Sequence, residues 1–165
     1  MNFERIYKEF FKRIYSYIIS RTRNDAAAQD IAAAMWEKVF KKLDSFDADK
    51  GNISQWLFAV ARNEVNMHYR LYHVRKFFNF SDYEDFNPPS GEKEAPELME
   101  AELERQNLLK AMETLSGKER DILALKFYSG LNNREIAVMV NISESNTGTI
   151  INRSIAKLRV LLEAK

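Results

Sequence analysis

Residues 132–153, NNREIAVMVNISESNTGTIINR, carry the signs of two short helices set across a tight turn. Asn132 with Glu135 places side-chain acceptors where the free N–H groups of a first helical turn need them, and Ser143 with Ser145 or Asn146 does so again. Only Asn141 and Ile142 separate the two segments. Ile136, Ala137 and Val140 recur along the first helix, Ile142 fills the turn, and Thr147, Ile151, Ile155 and Leu158 continue inward along the second. This is the spacing of a helix-turn-helix, with the small Ala137 where the two helices should cross closest. The outer face of the second helix is left with Asn146, Gly148, Thr149, Asn152, Arg153 and Lys157, hydrogen-bonding and cationic groups suited to a DNA groove. A helical hairpin in an ordinary bundle has the same pattern, because water also demands a polar outer face.

Working back from this unit, Ser116 and Glu119 form an S-x-x-E capping box for a helix whose apolar positions are Ile122, Leu123, Leu125 and Phe127, closed by Gly130 as a left-handed cap. Pro96 suits the first turn of the helix before it, which carries Leu98, Leu103, Leu108, Leu109, Met112 and Leu115. Residues 79–95, with Pro88, Pro89, Ser90 and Gly91 among dense acidity, predict a flexible linker and a domain boundary. From Ser81 to Glu104 nine acidic residues face only Lys93, a balance of −8, which leaves +9 on the remainder of a chain whose formal total is +1. Two basic bodies on an acidic tether suit phosphate-backbone binding, although two solvated helical surfaces would give the same ledger.

In the N-terminal half, Phe3, Ile6, Tyr7, Phe10, Phe11, Ile14, Tyr17 and Ile18 fall at helical spacing, and the helix should run to about Arg21. A second helix begins near Asp25 and shows Ala28, Ile31, Ala32, Met35, Trp36, Val39, Phe40 and Leu43, ending at Leu43 or Asp44. A loop from Ser45 to Gly51 follows, and Asn52 with Gln55 predicts the cap of a third helix. Trp56, Leu57, Val60, Ala61, Val65 and Tyr69 form its inner face. Arg62, Asn63, Asn66, His68, Arg70, His73, Arg75 and Lys76 lie on its other side and end, with Tyr69, Tyr72 and Phe77 interleaved. Basic and amide groups among aromatic rings suit single-stranded or locally opened DNA, whose bases can stack. A basic helix C-terminus is also what the helix dipole favours.

At 165 residues with 45% apolar content the chain can build real cores, and five Gly with three Pro favour helices over turn-rich sheet. The absence of cysteine excludes disulfides, thiolate metal sites and a thiol nucleophile, in keeping with a cytoplasmic protein. The charged start, MNFERIYKEFFKRIY, is unlike a signal peptide, and no run approaches the roughly 20 apolar residues of a membrane span. The expected fold is all-α: two small helical domains, 1–78 and 96–165, joined by an acidic flexible linker at 79–95, with the helix-turn-helix in the C-terminal domain.

At this point the residues resemble the bacterial RNA polymerase sigma factors of the sigma-70 family, in the compact extracytoplasmic-function (ECF) group. One match covers Phe10 to Leu43, the Phe46-Asp47 loop and the run from Trp56 to Asn63, WLFAVARN, which is similar to the family's W-L-x-x-I-A-R-N signature. The other runs from Leu115 through Glu119-Arg120, Ile122-Leu123, Gly130-Leu131, Glu135-Ile136-Ala137, Ile142-Ser143-Glu144 and Arg153 to Leu158-Arg159. Together they span nearly everything but the linker. The resemblance implies core RNA polymerase and promoter DNA as partners, with an anti-sigma factor as a further candidate. It assigns polymerase binding to the helix around Asp30, with Met35 and Lys38. It assigns the minus-ten element to Phe46, Asp47, Arg62, Asn63, Asn66, Tyr69, Arg70, Arg75 and Lys76. Arg134, Ser143, Ser145, Asn146, Thr147, Thr149, Asn152, Arg153 and Lys157 fall to the minus-thirty-five element. The acidic linker would thread along the polymerase path of nascent RNA. The family has no catalytic role, and no cofactor or metal is implied.

Two departures from the family pattern bear on these sites. Ala33-Ala34 stands where the family commonly has Gln-Glu beside the polymerase-binding acid, and Asn146-Thr147-Gly148-Thr149-Ile150 stands where Thr-Val-Lys-Ser-Arg is common. Base contacts would then come from Asn146, Thr149 or Asn152, and phosphate contacts from Arg153 and Lys157. Gly148 lacks a side chain, which would permit close backbone approach to DNA. Two other classes are compatible with parts of the chain. A helix-turn-helix regulator would bind its operator without core polymerase. An enzyme would have to build on Glu64 and His68, one helical turn apart, a pair with too few ligands for a metal site.

Overall fold

A computed structural model describes residues 2–49, 51–78 and 96–164, so the linker predicted at 79–95 lies outside the described residues. Its elements are α1 (Phe3–Thr22), α2 (Asp25–Lys42), a short 3-10 turn (Leu43–Ser45), α3 (Ile53–Phe78), α4 (Pro96–Met112), α5 (Gly117–Tyr128), α6 (Asn133–Val140) and α7 (Glu144–Glu163). The described residues contain no strand.

Local chemistry fixes the ends. Both expected capping boxes form: Ser116 and Glu119 exchange side-chain and backbone hydrogen bonds at the start of α5, and Asn132 and Glu135 do so at the start of α6. Ser143 Oγ accepts from the Asn146 N–H to open α7. Gly130 has φ +71, as expected of a left-handed cap, and a Cβ there would come within 3.1 Å of Arg13 Nη2. Asn52 Oδ1 accepts from the Ser54 N–H, and α3 starts at Ile53. Less legible were the turns into α2 and into α7, where Arg23 and Asn141, both non-glycine, take φ 53 and φ 57. Neither residue type advertises that conformation as glycine does, although asparagine tolerates it.

The first three helices pack on one another around Ile14, Ile18, Ala28, Met35, Val39, Leu57, Phe58, Ala61 and Val65. The last four gather around α7, with Ile122, Leu123, Leu125, Ile136 and Ile151 buried. These two groups are not separate cores. A single cluster of buried apolar residues runs through both, because α1 packs against α5.

The sequence of α5 explains why it sits in the middle. Five consecutive residues, Asp121 to Leu125, are buried. Successive side chains on an α-helix are about 100° apart, so five in a row encircle it and no single neighbour can cover them. Helix α5 meets this need by lying between α1 and α7. Phe127, expected on its apolar face, is instead 64% exposed, since it falls beyond the buried run.

Candidate nucleic-acid interface

Helix α7 presents one unbroken polar face. Its inner positions, Thr147, Ile151, Ser154 and Leu158, are buried, as the threes-and-fours spacing requires. Ser143, Ser145, Asn146, Thr149, Asn152, Arg153 and Lys157 are exposed, as is Arg134 on α6. Thr147 is the exception among the expected DNA contacts: its side chain is in the interior and its hydroxyl donates to the Ser143 carbonyl at 3.0 Å. Lys157 is not a free cation, because its Nζ donates to Glu119 Oε1 at 2.7 Å. That hydrogen bond, joined by one from the Ser116 N–H, holds the Glu119 carboxyl below its ordinary pKa. Arg153 has no such partner described. Gly148 faces α6 rather than an open groove, and a Cβ added there would sit 3.5 Å from Asn133 Nδ2, an ordinary contact.

Around α3 the picture differs. At its N-terminal end Phe46 and Trp56 pack ring on ring, 5.2 Å between centroids and tilted by 37°. They border a depression of about 430 Å³ lined by Ser45, Phe46, Asp47, Gly51, Asn52, Gln55, Trp56 and Ala59. Asp47 is exposed, and one of its carboxylate oxygens accepts from the Asp49 N–H. Asn63 and Arg70 are exposed. Arg75 and Lys76 lie within α3, but their side chains are outside the described residues.

The remaining groups of α3 are already engaged. Arg62 Nε donates to Asp121 Oδ2 at 2.7 Å, and its Nη1 donates to the Met139 carbonyl at 3.3 Å. Asn66 Oδ1 accepts from Arg21 Nη2 at 3.2 Å, and the Tyr69 hydroxyl donates to the Arg21 carbonyl. Arg21 in turn pairs with Asp121 Oδ1, which also accepts from the Tyr17 hydroxyl at 2.8 Å. Asp121 is 5% exposed and Arg21 7%. Burial, then the adjacent Asp121 carboxylate, pushes the Tyr17 hydroxyl well above its ordinary pKa, so it stays protonated and donates. Burial opposes the charge of Arg21, but Tyr17 and Asp121 more than offset that and hold its pKa above the usual arginine value.

The periodicity of the sequence placed Tyr17 on the inner stripe of α1 without a partner for its hydroxyl, and it singled out neither Asp121 nor Arg21. One signal was present: an aspartate opening a wholly buried run needs charged or hydroxyl partners, and they had to come from another element.

Of the expected polymerase contacts, Asp30 is exposed on α2, whereas Met35 is fully buried. Lys38 donates to Glu64 Oε1 at 2.6 Å, so the carboxylate one turn from His68 is taken up by an ion pair. Among the described residues no three His, Asp or Glu side chains converge as a metal site would require. No helix there is long and apolar enough to cross a membrane.

Two family models match the chain: "Sigma-70 region 2" over residues 6–72, and "Sigma-70, region 4" over residues 105–158. The chain belongs to the sigma-70 family, in its ECF group. The ECF sigma factor SigM of Bacillus subtilis is 26% identical over 162 residues, covering 98% of this sigma factor and 95% of SigM. BldN of Streptomyces coelicolor is 24% identical over 97% of the chain, which spans 60% of the length of BldN. In fold, this sigma factor is similar to the sigma factor RpoE of Bartonella quintana, solved in complex with the anti-sigma factor NepR. The TM-score is 0.78 at 21% identity, with 98% and 96% of the two chains covered.

Proposed function

We propose that this sigma factor binds core RNA polymerase and directs it to promoters in the cytoplasm, with residues 1–78 and 96–165 as its two working domains. The observation that carries this reading is the order of the two sigma-70 regions on one chain, each centred on a helix with a polar, cationic side. The function is one of recognition, not catalysis.

In this reading α7 enters the major groove at the minus-thirty-five element. Asn146, Thr149 and Asn152 offer amide and hydroxyl groups to base edges, and Arg153 takes a phosphate. Thr147 holds the helix in place from inside. The loop around Phe46 and the exposed side of α3, with Asn63 and Arg70, receive the opened minus-ten element. The depression beside Phe46 and Trp56 gives an unstacked base an aromatic wall, worth about 1–3 kcal/mol per stacked base. Arg62, Asn66 and Tyr69 join this surface only when released from their present partners. Asp30 and Lys38 are the accessible part of the polymerase contact on α2; Met35 supports it from the core. An anti-sigma factor is a candidate partner, since the structural relative RpoE was captured with one.

A gel shift with and without core polymerase tests this reading. Promoter DNA should be bound strongly only when core is present, whereas equal binding by the protein alone would favour an operator-binding regulator. Asn63→Ala should reduce permanganate reactivity of unpaired promoter thymines more than it reduces initial binding, and equal loss of both would contradict the role given to α3.

A further inference from the structure

The outer face of α7 carries a narrower chemistry than its polarity suggests. Counting about 100° per residue, Thr149 stands opposite the buried stripe of Thr147, Ile151, Ser154 and Leu158, at the middle of the exposed arc. By the same count Asn146 flanks it on one side, and Ser145 and Asn152 flank it on the other; all are exposed. From Ser145 to Arg153 the helix rises about 12 Å, the length of roughly three to four base steps at ~3.4 Å each.

The groups on this arc differ in what they can offer a base. Asn146 uses its backbone N–H to cap the helix on Ser143 Oγ at 3.1 Å, and its side-chain amide has no partner among the described residues. The amide of Asn152, farther along, has none there either. Thr149 donates its hydroxyl proton inward, to the Ser145 carbonyl at 3.1 Å. Outward it therefore offers no donor, only oxygen lone pairs and a methyl group. A serine hydroxyl such as that of Ser145 donates or accepts and fixes no particular base.

We infer that this face reads A·T pairs and leaves guanine unread, with Asn146 and Thr149 as the residues that determine specificity at the minus-thirty-five element. The inference rests on the sigma-factor reading above. An asparagine amide matches adenine on both atoms: Nδ2 donates to N7 and Oδ1 accepts from the N6 amino group. Against guanine the same Oδ1 would face O6, acceptor against acceptor. The Thr149 methyl suits the C5 methyl of thymine. Guanine is read best by a paired donor from arginine or lysine, and residues 145, 146, 149 and 152 supply no cation. Arg153 lies about two and a half turns into α7, past the N-terminal residues that meet base edges in a recognition helix, and is left for a phosphate. Lys157 lies a further turn away and is paired with Glu119.

Genomic fragments retained by the full chain with core polymerase, aligned on their transcription starts, supply the element for the test. Changing an adenine to 7-deazaadenine keeps base pairing but removes the N7 acceptor. At one or more positions this should weaken holoenzyme binding on the order of tenfold. Thymine changed to uracil at a neighbouring position, which removes only the methyl group, should weaken it by a smaller factor. Changing any guanine of the element to 7-deazaguanine should leave binding unchanged. Asn146→Ala should erase the 7-deazaadenine effect at one position and leave the salt slope as it was, because a base contact rather than a phosphate contact is lost. Two results would overturn the inference: adenine effects that Asn146→Ala leaves unchanged at every position, or a loss of binding with 7-deazaguanine that Arg153→Ala removes. Should no fragment be retained or transcribed with core polymerase, it is the sigma-factor reading beneath that fails.

Discussion

Helices α3 and α7 are both polar, cationic faces on an apolar stem, yet the protein treats them differently. The face of α7 is open to solvent from Ser143 to Lys157, apart from the buried positions that anchor it. On α3, Arg62, Asn66 and Tyr69 are tied to groups on α1, α5 and α6, while Asn63 and Arg70 stay free. One polar face is thus largely exposed and the other is partly engaged within the molecule. Sequence alone treats the two as equivalent, because a polar residue on a helix face looks the same whether it meets water or a partner.

The largest effect should come from Asp121→Ala, which reduces the difference between the two helices by leaving Arg21 and Arg62 without their shared carboxylate. Removing one partner of a buried ion pair costs about 3–5 kcal/mol, reduced here if the halves separate and the guanidinium groups become hydrated. Denaturant unfolding should register the loss. A variant as stable as the wild type would show that the pairs of Asp121 with Arg21 and Arg62 contribute little to the packing of α3 and α1 on α5.

Next in size, Gly148→Ala acts on α7 alone. The added Cβ would meet only an ordinary contact with Asn133, so the gain in helix propensity, about 1 kcal/mol, should appear as a rise in stability with DNA binding retained. A loss of DNA binding without loss of stability would support close approach of the bare backbone to DNA here.

Arg153→Ala should weaken promoter binding broadly and lower the salt slope by about 0.9, the value of one phosphate contact. Lys157→Ala should change the slope less, since Lys157 is already paired with Glu119. Equal slopes for the two variants would mean that Glu119 releases Lys157 on binding.

The smallest effect is a pH dependence. Glu119 is held below its ordinary pKa by Lys157 and by the Ser116 N–H, so its contribution to stability is fully present above the unfolded carboxylate value. It should fade as pH falls through the depressed folded value, and Glu119→Gln should flatten that acid limb of the stability curve.

Much of this was readable in the residues. The caps at Ser116, Asn132 and Ser143 announce α5, α6 and α7, since a capping box depends on side chains three positions apart and nothing beyond. The buried stripe of α7 follows for the same local reason. What stayed hidden depends on elements far apart in sequence: Tyr17 and Asp121 are 104 positions apart, and Arg62 and Asp121 are 59. Met35 and Thr147 illustrate the converse. Each was assigned a contact by resemblance, although its own helical spacing placed it on the buried stripe, and the structure follows the spacing.

Run-off transcription with purified core RNA polymerase on a genomic fragment library separates a sigma factor from a regulator in one step. Discrete transcripts should appear only when core and this protein are combined. A protein that adds no transcript to core, while binding particular fragments unaided, would contradict the account and make it a regulator instead.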